Sequence, residues 1–223
     1  MTKKLFWEAI TKFVTGLIVT ALLLFLPAGT IHYRNGWLLI RILFVPMFLA
    51  GIVLMVRNPE LLEKRLRAKE TEQEQKAVIA WSGIMFLAAF IVAGLNFRFG
   101  WIVMPDWAIF LAAGIFLAAY LMYAEVLREN VYLSRTVEVQ EHQQVIDTGL
   151  YGLVRHPMYS STLILFLSMG LVLGSPISFA ILLLYVPLIA KRIKNEEEVL
   201  TQGLEGYEAY RKKVKYKVIP FIW

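Results

Sequence analysis

MYSSTLILFLSMGLVLGSPISFAILLLYVPLIA, residues 158–190, is a long apolar run interrupted near its middle by Gly174-Ser175-Pro176. A helix needs ~20 mostly apolar residues to cross the hydrocarbon core of a bilayer. The run is longer than one span, and Gly-Ser-Pro marks a turn. It reads as a helical hairpin of two short or tilted helices, with both open ends on one side of a membrane.

Four further segments are long and apolar enough to span: Trp7–Leu26, Trp37–Val56, Ala77–Leu95 and Trp107–Leu127. Trp7, Trp37, Trp81, Trp101 and Trp107 stand near span ends, where amphipathic indoles prefer the interface. The expected fold is therefore an all-α integral membrane protein. It has about six transmembrane helices, or five if the hairpin does not fully cross. We read one membrane domain over residues 1–223, with N-terminal spans in 1–127 and a distinct C-terminal part in 128–223. The composition agrees: 58% of residues are hydrophobic and the mean hydropathy is +0.60, more apolar surface than a soluble domain of this length can bury. The basic, then apolar, N-terminus also fits a signal peptide ending near Pro27-Ala28-Gly29, but a retained first helix is the simpler expectation because further spans follow.

Charge orients the spans. All of the 23 Lys and Arg residues except Arg34, Arg41 and Arg98 fall in the N-terminus, in Arg57–Lys76, after the fourth span, or in the C-terminal tail. The positive-inside rule puts those segments, and both termini, in the cytoplasm. The net charge of +6 then follows from topology and anionic headgroups, and no nucleic-acid partner is called for. Within RNPELLEKRLRAKETEQEQK, Asn58 can cap a helix with Pro59 at its first position and Leu61, Leu62 and Leu66 on one face, an interfacial helix. The absence of cysteine excludes disulfides, iron–sulfur clusters and thiol catalysis. His32, His142 and His156 have no metal-ligand spacing, so no metal is expected.

Two polar segments flank the hairpin and must meet on one membrane face. The first ends in GLYGLVRHPMY, residues 149–159. Gly149 can adopt positive φ and Pro157 fits the first turn of a helix. The free backbone N–H groups there, with Arg155 and His156, make a donor cluster able to hold a carboxylate or hydroxyls. The second is RIKNEEEVL, residues 192–200, where Arg192 and Glu196 share a helix face and Glu197 lies within reach of a cleft between helix ends. GYEAYRKK reads as an amphipathic surface helix and IPFIW as an interface plug. On spacing alone, Arg155 fits a membrane anchor equally well, and the three acids a solvated face.

In this order around a hairpin, GLYGLVRHPMY, RIKNEEEVL, GYEAYRKKVKY and the terminal IP resemble the isoprenylcysteine carboxyl methyltransferase family, which groups with the phospholipid N-methyltransferases. The resemblance covers Glu125–Trp223. It implies an S-adenosyl-L-methionine-dependent methyltransferase with a cytoplasmic cofactor pocket and a lipid-borne acceptor that enters from the bilayer. Gly149, Tyr151, Arg155, His156, Pro157, Tyr159 and Glu196 fall on the family's cofactor-binding positions. Arg192 and Glu197 fall on its catalytic centre. The chain departs from the eukaryotic Phe-Gly-x-x-Tyr at Leu204-Glu205-Gly206-Tyr207, and from the phospholipid enzymes' Pro at Leu150. The acceptor thus stays open between a prenylcysteine-like carboxylate and an amine headgroup. A membrane reductase of the sterol reductase kind and a non-enzymatic membrane protein are the other readings. No soluble nucleotide-binding fingerprint is present, and no protein partner is implied.

Overall fold

The computed structural model describes residues 3–67, 73–133 and 139–223. Within them the chain is helical: α1 Lys3–Ala28, α2 Arg34–Arg57, α3 Pro59–Arg67, α4 Gln73–Phe99, α5 Asp106–Glu129, α6 Pro157–Val172, α7 Pro176–Leu182, α8 Tyr185–Gly203 and α9 Tyr207–Lys213, with a 3₁₀ turn at Gly149–Gly152. Five segments are long and apolar enough to cross a bilayer, namely α1, α2, α4 from Lys76, α5, and the stretch Pro176–Gly203 that joins α7 to α8. The hairpin's first arm, α6, has 16 residues. At 1.5 Å per residue it is about 24 Å long, short of the ~30 Å core. This is a multi-pass membrane protein with six apolar arms among the described residues, five of them of full spanning length.

The hairpin turns where the sequence predicts. Gly174 has φ +71°, Ser175 caps α7 by accepting from Ser178 N at 3.2 Å, and Pro176 opens the helix. Gly170 lets the arms touch. A Cβ there would lie 2.5 Å from the Phe179 backbone nitrogen, so only glycine permits this approach.

Around the hairpin, α5 packs along α6 and α1 along α4. Leu24, Leu39, Ala93, Phe116, Val172, Leu182 and Ile189 form the centre. Large apolar side chains such as Ile18, Leu22, Val53, Ile84, Phe110 and Leu121 point outward, as expected where lipid is the solvent. All five end-of-span tryptophans are exposed.

Polar contacts identify the two ends of the bundle. One end gathers Tyr33, whose hydroxyl donates to Leu173 O at 2.5 Å, Asn96, which donates to Gly174 O at 3.3 Å, and the Arg34–Asp106 ion pair at 2.8 Å. The opposite end carries α3. Asn58 Oδ1 accepts from Leu61 N at 3.1 Å, the expected cap with Pro59 behind it, and Leu61 and Leu62 are buried. Arg65 donates to the Tyr123 hydroxyl, tying α3 to α5. Residues 68–72 of the expected interfacial segment, and Arg135, lie outside the described residues, while residues 73–76 open α4.

The acids 196–198 lie inside α8. Helix α9 is amphipathic, as its sequence predicts: Tyr207 and Tyr210 are buried against Val139, Val145 and Leu200, and its other residues are exposed. Their i, i+3 spacing forms an inward apolar stripe on a helix only two turns long. At the tail, Phe221 and Ile222 are 86% and 79% exposed, while Trp223 packs on the core.

Candidate active site

The site lies at the α3 end of the bundle, where the loop before α6, the second half of α8, α9 and the tail converge. Its first support is the end of α5. Asn130, just beyond that helix, donates to the Tyr151 hydroxyl at 2.8 Å. Gly149 has φ +50°, as its place in the motif predicts. It sits under Glu129, and a Cβ at this position would clash with the Glu129 carboxylate. Thr148 donates to Glu129 Oε1 at 2.8 Å. Burial pushes the Tyr151 phenol up to about 12.

Arg155 and His156 are both buried. The backbone donors read as free at this junction are in fact used: Arg155 N donates to Tyr216 O at 2.9 Å and His156 N to Lys217 O at 2.8 Å. The reason lies far along the chain, because the tail runs back beside the Arg-His-Pro stretch. The Arg155 guanidinium reinforces that pairing. Its Nη1 donates to Val214 O and Lys215 O at 2.7 and 2.8 Å, and its Nε to Glu197 Oε1 at 2.7 Å. Ser160 adds a donation to Val218 O at 2.6 Å.

Glu197 is buried and surrounded by donors. Besides Arg155 it meets Lys217 Nζ at 3.0 Å and His156 Nε2 at 3.3 Å. Glu196 is more open. It receives the Tyr159 hydroxyl's hydrogen bond and lies 3.8 Å from His156 Nδ1. Arg192 Nε donates to the same Tyr159 hydroxyl at 2.9 Å. Arg192, Tyr159 and Glu196 therefore form one chain, as the i, i+4 spacing on α8 and the Tyr159 position on α6 allow.

Two cavities open here. The first, about 840 Å³ with its mouth included, is bounded by Asn130, Tyr132, Gln143, Gln144 and Tyr151, by Arg155, His156, Met158 and Tyr159, and by Arg192, Glu196, Tyr207 and Tyr210. The second, about 1740 Å³ with its open side included, is an apolar groove between α4, α6 and α8 along Ile79, Gly83, Phe86, Phe166, Tyr185 and Ile189. Arg65, Lys76 and Tyr123 stand at its polar end. Met158, Tyr159 and Arg192 border both.

Of the residues expected from sequence, Tyr151, Arg155, His156, Tyr159, Arg192 and Glu196 thus line the first cavity, while Gly149, Pro157 and Glu197 stand behind the wall. Pro157 occupies the first turn of α6. Sequence reasoning did not single out Asn130, Gln143, Gln144 or Lys217 as site residues, and no local pattern marks them. Tyr207 and Tyr210 were visible as a spaced pair but not as pocket residues. The Tyr210 hydroxyl donates to Tyr151 O at 2.8 Å.

An all-helical membrane protein with a polar pocket at the open end of a hairpin, joined to an apolar groove, is the class this geometry defines. Residues 107–202, from α5 to the end of α8, match the Isoprenylcysteine carboxyl methyltransferase (ICMT) family. The chain is also 28% identical over 91 residues to the Delta(14)-sterol reductase TM7SF2 of Mus musculus, a stretch that makes up 40% of this chain and 22% of that protein. The chain thus covers well under two thirds of that curated relative.

Proposed function

We propose that this protein transfers a methyl group from S-adenosylmethionine to a lipid-borne acceptor, most simply a prenylcysteine-like carboxylate, at the cytoplasmic face of the membrane. One observation carries the reading: a polar pocket and an apolar groove of opposite character share the wall Met158–Tyr159–Arg192. A two-substrate transfer needs that arrangement, with a water-soluble donor on one side, a hydrophobic acceptor on the other, and the reacting atoms between. The family match over residues 107–202 supports it.

The polar pocket suits this donor. It offers carboxylate at Glu196, nitrogen groups at Arg155 and His156, and amide and phenol groups at Asn130, Gln143, Gln144, Tyr151 and Tyr207, a set able to hold an amino-acid head and a nucleoside. Bound there, S-adenosylmethionine supplies an electrophilic methyl group on a sulfonium. Arg192, at the shared wall, orients an acceptor carboxylate, which is already a nucleophile at neutral pH and needs no base. Tyr159 fixes the Arg192 guanidinium at 2.9 Å. The groove walls exclude water from the acceptor's tail. Glu197 is a positioning group: it is buried on Arg155, Lys217 and His156 and is not on the pocket wall, so it is poorly sited to take a proton from an amine. That favours a carboxylate acceptor over an amine headgroup. The cytoplasmic side rests on the positive-inside bias.

The likeness to a sterol reductase sustains a second reading, in which the polar pocket takes a nicotinamide cofactor. Equilibrium binding to detergent-purified protein separates the two. S-Adenosylmethionine should bind and NADPH should not; the reverse result removes the methyltransferase reading. Radiolabelled methyl transfer to a farnesylated cysteine analogue, and not to phosphatidylethanolamine, then identifies the acceptor class.

A further inference from the structure

The Tyr207 side chain is buried at 4% exposure on the wall of the polar pocket, and its hydroxyl has no hydrogen-bond partner among the described residues. Buried polar groups are almost always satisfied, and leaving one unmet is costly. The neighbouring Tyr210 shows the ordinary solution, donating to the Tyr151 carbonyl. The two tyrosines stand one helical turn apart, with ring centroids 5.8 Å from each other, so the same helix satisfies one hydroxyl and leaves the other, on a residue of the pocket wall, without a partner among the described residues. Burial first, and then the carboxylates of Glu197 and Glu196, push the Tyr207 phenol up, so it keeps its proton as a donor at neutral pH. The charges close enough to act on it are of both signs, with Arg155 and Arg211 opposing the two glutamates. A mixed field of this kind suits a zwitterion, whereas an uncharged adenine would gain nothing from it.

We infer that the Tyr207 hydroxyl is a ligand contact, which donates a hydrogen bond to the amino-acid end of the bound methyl donor beside Glu196. This rests on the proposed methyltransferase reading and adds a residue and an orientation to it: the amino-acid end lies toward α9.

The test uses the full-length protein in detergent with three probes: S-adenosylmethionine, S-adenosylhomocysteine, and 5′-methylthioadenosine, which lacks the amino-acid end. Tyr207→Phe should weaken the first two by about five- to tenfold, the value of one neutral hydrogen bond, and leave the third unchanged. The thermal midpoint of the ligand-free protein should hold steady or rise, because the variant removes an unmet polar atom. Tyr210→Phe is the contrast, and should lower that midpoint by losing its bond to Tyr151. Unchanged affinity of Tyr207→Phe for all three probes overturns the inference. So does equal weakening of all three, or a lowered ligand-free midpoint, either of which marks a structural hydroxyl or a different orientation. Wild-type protein that binds none of the probes refutes the methyltransferase reading itself, a result distinct from those above.

Discussion

Glu197→Gln is the most informative single change, because the variant keeps the side chain's shape and removes only its charge. In the native protein one buried carboxylate accepts from Arg155 at 2.7 Å, Lys217 at 3.0 Å and His156 at 3.3 Å. Lys217 is about one-third exposed and can turn to water when the charge goes. Arg155 is buried and cannot. Removing one partner of a buried pair costs about 3–5 kcal/mol. The two carbonyl contacts Arg155 retains, and the acceptor oxygen that Gln keeps, put this case at the lower end, about 3 kcal/mol, or roughly a hundredfold in the local opening equilibrium. The opening should be local, since the bonds at risk fasten residues 214–218 to residues 155–160. Hydrogen exchange by mass spectrometry in nanodiscs should therefore show the Arg155 and His156 amides losing about a hundredfold of protection, while α2 and α4 keep theirs. Cofactor affinity should fall with the opening. Lys217→Met should do much less. Native protection at Arg155 and His156 in Glu197→Gln would refute the argument that this carboxylate clamps the tail; native protection with abolished turnover would return Glu197 to the chemistry.

Arg192→Lys keeps the charge but loses the planar fork suited to a carboxylate, so turnover on a carboxylate acceptor should fall at least tenfold while S-adenosylmethionine affinity, read by calorimetry, changes less than twofold. Gly170→Ala puts a Cβ 2.5 Å from the Phe179 backbone nitrogen, and such overpacking should cost about 1–3 kcal/mol, visible as a lower thermal midpoint in detergent. Gly149→Ala combines a positive φ with a clash against Glu129. It should destabilise by about 1–2 kcal/mol, and Glu129→Ala in the same chain should recover part of that loss. A topology reporter fused after Trp223 should be active only on the cytoplasmic side, and activity outside would reverse the assigned orientation.

Much of the architecture was legible along the chain because a bilayer imposes a one-dimensional rule. Backbone polar groups must be satisfied within each segment, so span length, end tryptophans and the Gly174-Ser175-Pro176 break are local signals. The cap at Asn58, the positive φ of Gly149 and the Pro157 helix start are equally local. The meeting of the two polar segments followed from the hairpin alone, and so did the shared face of Arg192 and Glu196. Tertiary structure decided what those residues do there. Adjacent acids on α8 point in different directions, so Glu196 faces the pocket while Glu197 is buried in an ion cluster, a division that a run of three glutamates does not reveal. The Arg155 and His156 amides looked free because their acceptors, Tyr216 and Lys217, come about sixty residues later and pair with them by a chain reversal that no local pattern encodes. The apolar groove is likewise a product of packing. Its apolar walls come from α4, α6 and α8, and only their assembly leaves a space that reaches Arg192.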